Sequence, residues 1–219
     1  MHAFTTSITR ASFVATALFS IAFVSVAYAD VAPLPPPQDP FTDVSYDDGL
    51  VPSVVYLKKN SAINGYPDGT FRPDNLINRA EFAKIVLLMH TTMKVATPIE
   101  GAPMPPFSDI ENGAWYEPYI RAAYENAVLS GYPDGTFRPN DTINFAEAAK
   151  IVVRAYGLEY EESVTGAWYQ PYWDALQSRE LIPSSVLSPD QNITRGEMAQ
   201  LLYYIAYYNS TYRRSYFIR

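Results

Sequence analysis

Three stretches of the chain place apolar side chains three and four residues apart, each directly behind a polar pattern that starts helices. Phe82, Ile85, Val86 and Met89 follow Asn78 and Glu81; Ala148, Ile151, Val152 and Ala155 follow Asn144 and Glu147; Met198, Leu201, Leu202 and Ile205 follow Thr194 and Glu197. A period near 3.6 residues marks a helix with one buried face. Asn or Thr with Glu three residues later has the N-cap to N3 spacing of a capping box, which satisfies two otherwise orphaned backbone N–H groups. A shorter helix is predicted ahead of each. Pro52, Pro118 and Pro171 stand where it begins, a position proline tolerates because its missing N–H is not needed there. In the middle stretch Tyr119, Ala122, Ala123, Asn126 and Ala127 follow at helical spacing. Gly65 and Gly131 are expected to end these first helices as C′ glycines. Pro-Asp-Gly then turns the chain, and Phe71 and Phe137 are expected to tuck into the core as anchors.

The pattern is a repeat. GYPDGTFRP occurs at Gly65–Pro73 and again at Gly131–Pro139, and a shift of 66 residues also superposes Phe41-Thr42-Asp43 on Phe107-Ser108-Asp109, Pro52 on Pro118, and Ile77–Glu81 on Ile143–Glu147. A third copy is more worn. Trp168-Tyr169-Gln170-Pro171-Tyr172 repeats Trp115–Tyr119, and Ile193–Glu197 repeats Ile143–Glu147, but Ile182–Ser188 (IPSSVLS) replaces the glycine-rich loop. One such unit has too little core to stand alone. Three are expected to share one mostly α-helical domain from about Phe41 to Tyr208. The segments read as a signal peptide (1–29), a Pro-rich spacer (30–40), repeat 1 (41–96), a Pro-rich linker (97–106), repeat 2 (107–159), repeat 3 with a degenerate loop (160–208) and an aromatic, basic tail (209–219).

The opening segment has Arg10, an apolar run from Ala11 to Val26 and the small-x-small site Ala27-Tyr28-Ala29, the form of a secretory signal. Export is therefore expected, with no integral membrane segment after cleavage. Losing Arg10 takes the formal charge from −7 to −8. An acidic chain is a poor nucleic-acid binder, because such binding relies on Lys and Arg neutralising phosphates. Without cysteine there is no disulfide, thiolate nucleophile or Cys-based metal site. The 18 tyrosines suit cores, interfaces and sugar-contacting surfaces alike.

The F-x-D opening, the aromatic start of the first helix, the G-Y-x-D-G-T-F-x-P loop and the I-T-R-A-E-like start of the second helix together resemble the S-layer homology (SLH) domain family. The resemblance implies a three-pronged, pseudo-threefold helical body that holds an exported protein to the cell wall, cell surface or periplasmic envelope. It implies a non-catalytic role without cofactor or metal. The partner would be a secondary cell-wall polysaccharide, often carrying a pyruvate ketal, or a peptidoglycan-linked polymer, seated in grooves between repeats. The family arginine is matched by Arg79 and Arg195. Both are expected to be exposed and unneeded for folding, beside a helix N-terminus whose free N–H groups favour an anion; guanidinium can bind a carboxylate bidentately. Repeat 2 has Phe145 at that position, and repeat 1 has Gly49 where Trp115 stands, so not all three grooves are expected to be competent. Asp43 and Asp109 match the F-x-D aspartate and are candidate ligand contacts or entry-segment caps. Trp115, Tyr116, Trp168 and Tyr169 are candidate sugar platforms, the tryptophans equally readable as inter-repeat core. Asp68 and Asp134 read as turn formers, since the calcium-loop pattern is absent.

Two other functions use the same residues. A structural or adaptor protein would bind protein cargo or self-associate through the repeats, favoured by the missing arginine of repeat 2 and the missing loop of repeat 3. A glycan-acting enzyme would need an acid/base pair such as Glu111 and Glu117.

Overall fold

Each second helix begins at the residue after its capping asparagine or threonine, because all four orphaned N–H groups of its first turn find acceptors. The computed structural model describes residues 39–45, 48–90, 105–162 and 166–212. Among them run six helices: α1 (Val51–Lys59), α2 (Arg79–Met89), α3 (Glu117–Glu125), α4 (Phe145–Ala155), α5 (Gln170–Gln177) and α6 (Arg195–Tyr212). The signal segment, the spacer up to residue 38, the linker up to residue 104 and the last seven residues of the tail lie outside the described residues. No helix of the described residues is long and apolar enough to cross a membrane. The capping boxes of α2 and α4 are complete. In α6 the Thr194 N–H donates to Glu197 and the Glu197 N–H donates to the Thr194 hydroxyl.

The first two amides of each of these helices donate into the loop of a different repeat. Arg79 and Ala80 reach the carbonyls of Asp141 and Pro139, Phe145 and Ala146 those of Gln191 and Pro189, and Arg195 and Gly196 those of Asn75 and Pro73, all at 2.8–3.0 Å. Just before the helices the repeats join in a closed cycle. The Ile77 N–H donates to Ile193 (3.2 Å), Ile143 to Ile77 (3.2 Å) and Ile193 to Ile143 (3.1 Å). All three isoleucine side chains are fully buried.

Helix pairing follows the same circuit. The main contacts are α2 with α3, α4 with α5, and α6 back onto α1, so the second helix of each repeat packs on the first helix of the next. Every apolar-stripe position of α2, α4 and α6 is buried. The repeats therefore interlock, where a bundle of three self-contained hairpins would have been the simplest outcome of the sequence pattern.

The first helices end differently from the expectation. Proline occupies the second helical position, and the stop precedes the glycine by several residues. Ser61 (φ 57°), Ala127 (φ 56°) and Glu180 (φ 56°) are the left-handed residues. In each case the following N–H returns to the carbonyl five residues back, as Ala62 to Leu57, Val128 to Ala123 and Leu181 to Leu176; this is a Schellman closure built without glycine. Asn126 and Ala127 are thus an exposed helix end and not part of its packed face. Gly65 and Gly131 serve the loop. A Cβ at Gly131 would lie 2.5 Å from both the Phe107 ring and the Thr136 carbonyl, and Gly65 meets Phe41 and Thr70 in the same way. Phe71 and Phe137 are fully buried, as anchoring requires.

Ala127→Gly should relieve the left-handed strain at the end of α3, which costs roughly 1–2 kcal/mol for a residue with a Cβ, less the backbone entropy glycine adds to the unfolded chain. The expected outcome is a stabilisation of about 0.5–1 kcal/mol, read as a higher midpoint of urea unfolding; an unchanged or lower midpoint contradicts it.

Candidate functional site

The interlocking brings side chains from three repeats to each of two clefts. The first, about 290 Å³, is lined by Ser61–Gly65 and by Glu81, Lys84, Ile85 and Leu88 of repeat 1, by Trp115 of repeat 2 and by Arg195 of repeat 3. The second, about 340 Å³, has the corresponding wall one repeat on. Val128–Pro133, Glu147, Lys150 and Ile151 come from repeat 2, Trp168 from repeat 3 and Arg79 from repeat 1. In each cleft a lysine from the middle of a second helix faces a tryptophan of the next repeat. Lys84 Nζ lies 5.3 Å from the centre of the Trp115 ring, and Lys150 Nζ 5.6 Å from that of Trp168. The tryptophans are 50% and 55% exposed, which removes them from the core.

Both arginines differ from the expectation. Arg79 is 4% exposed and Arg195 7%, because the circuit of amide bonds draws each helix start beneath a neighbour's loop. Arg79 Nε donates to the Phe137 carbonyl and Arg195 Nε to the Phe71 carbonyl, both at 2.9 Å. Each guanidinium also lies over loop rings, Arg79 over Tyr132 and Phe137, Arg195 over Tyr66 and Phe71, at 4.7–5.0 Å. These arginines therefore help hold the repeats together as well as lining the clefts. The free N–H groups expected at the helix starts are all committed to neighbouring carbonyls or caps, so none is left to meet an anion.

Burial shapes the electrostatics of the second cleft. The Tyr132 hydroxyl donates to Glu147 Oε1 (2.6 Å), and burial followed by that bond pushes its pKa to about 12. The Lys150 ammonium is lowered from its ordinary value, first by burial and then by Arg154 and Arg79. It is held by the Ser130 hydroxyl at 3.2 Å.

The remaining candidates sit elsewhere. Asp43 accepts from the Phe71 and Arg72 amides (2.7 and 2.6 Å), and Asp109 from those of Phe137 and Arg138 at the same distances. They fix the loops where Arg72 and Arg138 adopt left-handed φ angles of 59° and 61°, and neither lines the two clefts. Tyr116 is buried, and both it and Tyr169 pack edge-on against the preceding tryptophan. Asp68 and Asp134 are turn formers. Each accepts from a threonine hydroxyl and amide and pairs with Arg72 or Arg138 at 2.8 Å. Glu117, one half of the imagined acid/base pair, is buried against Arg121 (2.6 Å) and the Gly113 amide. Those bonds, Arg121 foremost, lower its pKa, the opposite of what a general acid needs.

A family model for the S-layer homology domain matches residues 40–83 and 106–149. Repeats 1 and 2 are S-layer homology domains. The chain is 30% identical to a "Middle cell wall protein" of Brevibacillus brevis over 161 residues, covering 71% of this chain and 14% of that protein. It is 33% identical to "Cell surface glycoprotein 1" of Acetivibrio thermocellus over 121 residues (53% and 5%) and 36% identical to the "Cellulosome-anchoring protein" of the same organism over 104 residues (47% and 23%). The chain thus spans less than a quarter of the length of each of these relatives.

Sequence reading missed Lys84 and Lys150, although both recur at the 66-residue shift and stand one turn behind the capping glutamates. It also did not show that three departures coincide. By the repeat register the third S-layer homology-like cleft would take its arginine from residue 145, its lysine from residue 200 and its tryptophan from residue 49. The chain has Phe145, Gln200 and Gly49 there. Phe145 is buried edge-on against Trp173 (5.5 Å), and Glu197 is occupied by Ser185 and Gln191.

Asp68 and Asp134 supply a pH prediction. Their threonine bonds and then their arginine partners lower both carboxyls from 3.8 to about 2. A folded pKa below the unfolded one means that the loop contribution is complete above about pH 4 and is lost as pH falls toward 2. Carboxyl-carbon NMR titration should place these two midpoints near 2; ordinary aspartate midpoints overturn the assignment. Asp109→Ala, which orphans two loop amides, should cost about 1–3 kcal/mol in urea unfolding, with no loss if the aspartate is only a surface ligand contact.

Proposed function

We propose that this chain is a non-catalytic, exported cell-envelope module that binds an anionic cell-wall glycan through its two clefts. The observation that carries this reading is the recurrence, at both clefts, of an arginine, a lysine and a half-exposed tryptophan drawn from three different repeats. Each part has a task. The tryptophan face stacks on a pyranose ring, whose axial C–H groups are apolar. The lysine supplies a cation beside the ring, and a buried guanidinium with open donors can receive a carboxylate such as that of a pyruvate ketal. Because the whole chain carries a formal charge of −7, attraction of an acidic polymer rests on these local cations and not on the long-range field. Two clefts on one domain let a polymer of repeating units engage twice, so that modest single-site affinities combine.

The relatives' names speak of cell-wall, cell-surface and cellulosome-anchoring proteins, and they support an anchoring role at the envelope. The wall polymer class, pyruvylated polysaccharide or peptidoglycan-linked polymer, is part of the proposal.

Co-sedimentation with purified wall sacculi tests it. The chain should pellet with intact sacculi and stay soluble with sacculi stripped of their accessory polymers. Lys84→Ala combined with Lys150→Ala should weaken retention by at least about tenfold, the equivalent of about 1.4 kcal/mol, while circular dichroism stays unchanged. Retention that ignores both changes rules out the cleft reading.

A further inference from the structure

The two clefts share their residue types but not their pairing. In the second, Arg79 Nη1 lies 3.2 Å from Glu147 Oε2, and the other oxygen of that carboxylate accepts from Tyr132 at 2.6 Å. The buried guanidinium is already neutralised by a partner that is itself held in place. In the first cleft Arg195 makes one side-chain hydrogen bond, through Nε to the Phe71 carbonyl. Among the described residues no carboxylate lies within ion-pair distance of it. Yet Arg195 is 7% exposed and lines the cleft. A buried cation with unused donors is costly unless an anion reaches it.

We propose that the clefts are chemically unequal: the Arg195 cleft is the carboxylate receptor, and the Arg79 cleft recognises the uncharged face of the sugar. This rests on the glycan-binding reading above and divides its labour. A ligand carboxylate entering the second cleft has to displace Glu147 from Arg79, whereas in the first it completes an empty fork. The lining agrees. The second cleft extends to Tyr132 and Pro133, whose counterparts Tyr66 and Pro67 do not line the first, and it has Val128 where the first has the smaller Ala62. An acidic glycan would then be held by its charge at one cleft and by its ring at the other.

The indole N–H signals of the full chain separate the sites. The chain has three tryptophans, so Trp115→Phe and Trp168→Phe assign the reporters. The probes are a methyl glycoside carrying a pyruvate ketal and the methyl ester of the same ketal. The Trp115 signal should respond to the acid at least about tenfold more tightly than to the ester, the scale of one charge-assisted hydrogen bond. The Trp168 signal should respond to both within about twofold. Glu147→Gln keeps a residue able to complete the capping box and releases Arg79; the Trp168 site should then prefer the acid as the Trp115 site does. Equal preference for the acid at both wild-type clefts, or no gain in Glu147→Gln, overturns the inequality and leaves the glycan reading standing. Movement of neither signal with either probe overturns the glycan reading and this inference with it.

Discussion

The architecture depends on where the amides of three helix starts send their hydrogen bonds. Each of α2, α4 and α6 satisfies its N3 amide with its own cap and its first two amides with carbonyls of another repeat's loop. An unsatisfied buried amide costs about 1–3 kcal/mol, so six such bonds make separation of the repeats expensive. The three isoleucine amides complete the cycle within the buried centre. No repeat owns a complete first turn by itself, and removing one leaves amides and carbonyls open in both others.

The clefts follow from that exchange. Drawing a helix start beneath a neighbour's loop also carries its first side chain there, so Arg79 ends under repeat 2 and Arg195 under repeat 1. The following repeat's first helix, packed on the second helix that carries the cleft lysine, brings the tryptophan just ahead of it to the mouth. Positions far apart in the chain thereby become one surface. The loops can bear this use because they are stiff: Asp43 and Asp109 clamp two amides each, and Phe71 and Phe137 anchor from below. A carbonyl on such a loop, that of Phe137 or Phe71, orients each buried guanidinium through Nε. The arginines are therefore both joints and cleft walls, and deleting one would mix a folding defect with a binding defect. The lysines at the mouths are the cleaner probes.

Degeneration of the third repeat becomes economical in this light. One cleft draws on all three repeats, so changes scattered over the chain at Gly49, Phe145 and Gln200 converge on a single place. Phe145 stands at the arginine position of the repeat register and packs edge-on against Trp173, and Pro189 and Gln191, just after the Ile182–Ser188 loop, still supply acceptors for α4. The structural circuit is retained there although the chemistry is not.

The sequence alone determined the repeats, the three capping boxes, the buried stripes and the family, because these rest on local spacing: i to i+3 for a cap, 3.6 residues for a stripe, 66 residues for a repeat. It also marked Arg79, Arg195, Trp115 and Trp168. It placed the helix stops at glycine when Ser61, Ala127 and Glu180 hold them, since a left-handed residue is recognisable from sequence only when it is the one that suffers no strain there. Only the tertiary structure decided that the arginines are buried, that each cleft belongs to three repeats, and that Glu147 neutralises one guanidinium while the other has no carboxylate within ion-pair distance among the described residues. Those outcomes depend on which loop accepts which amide. Identical local sequences leave that choice open, and the closed circuit of long-range hydrogen bonds settles it.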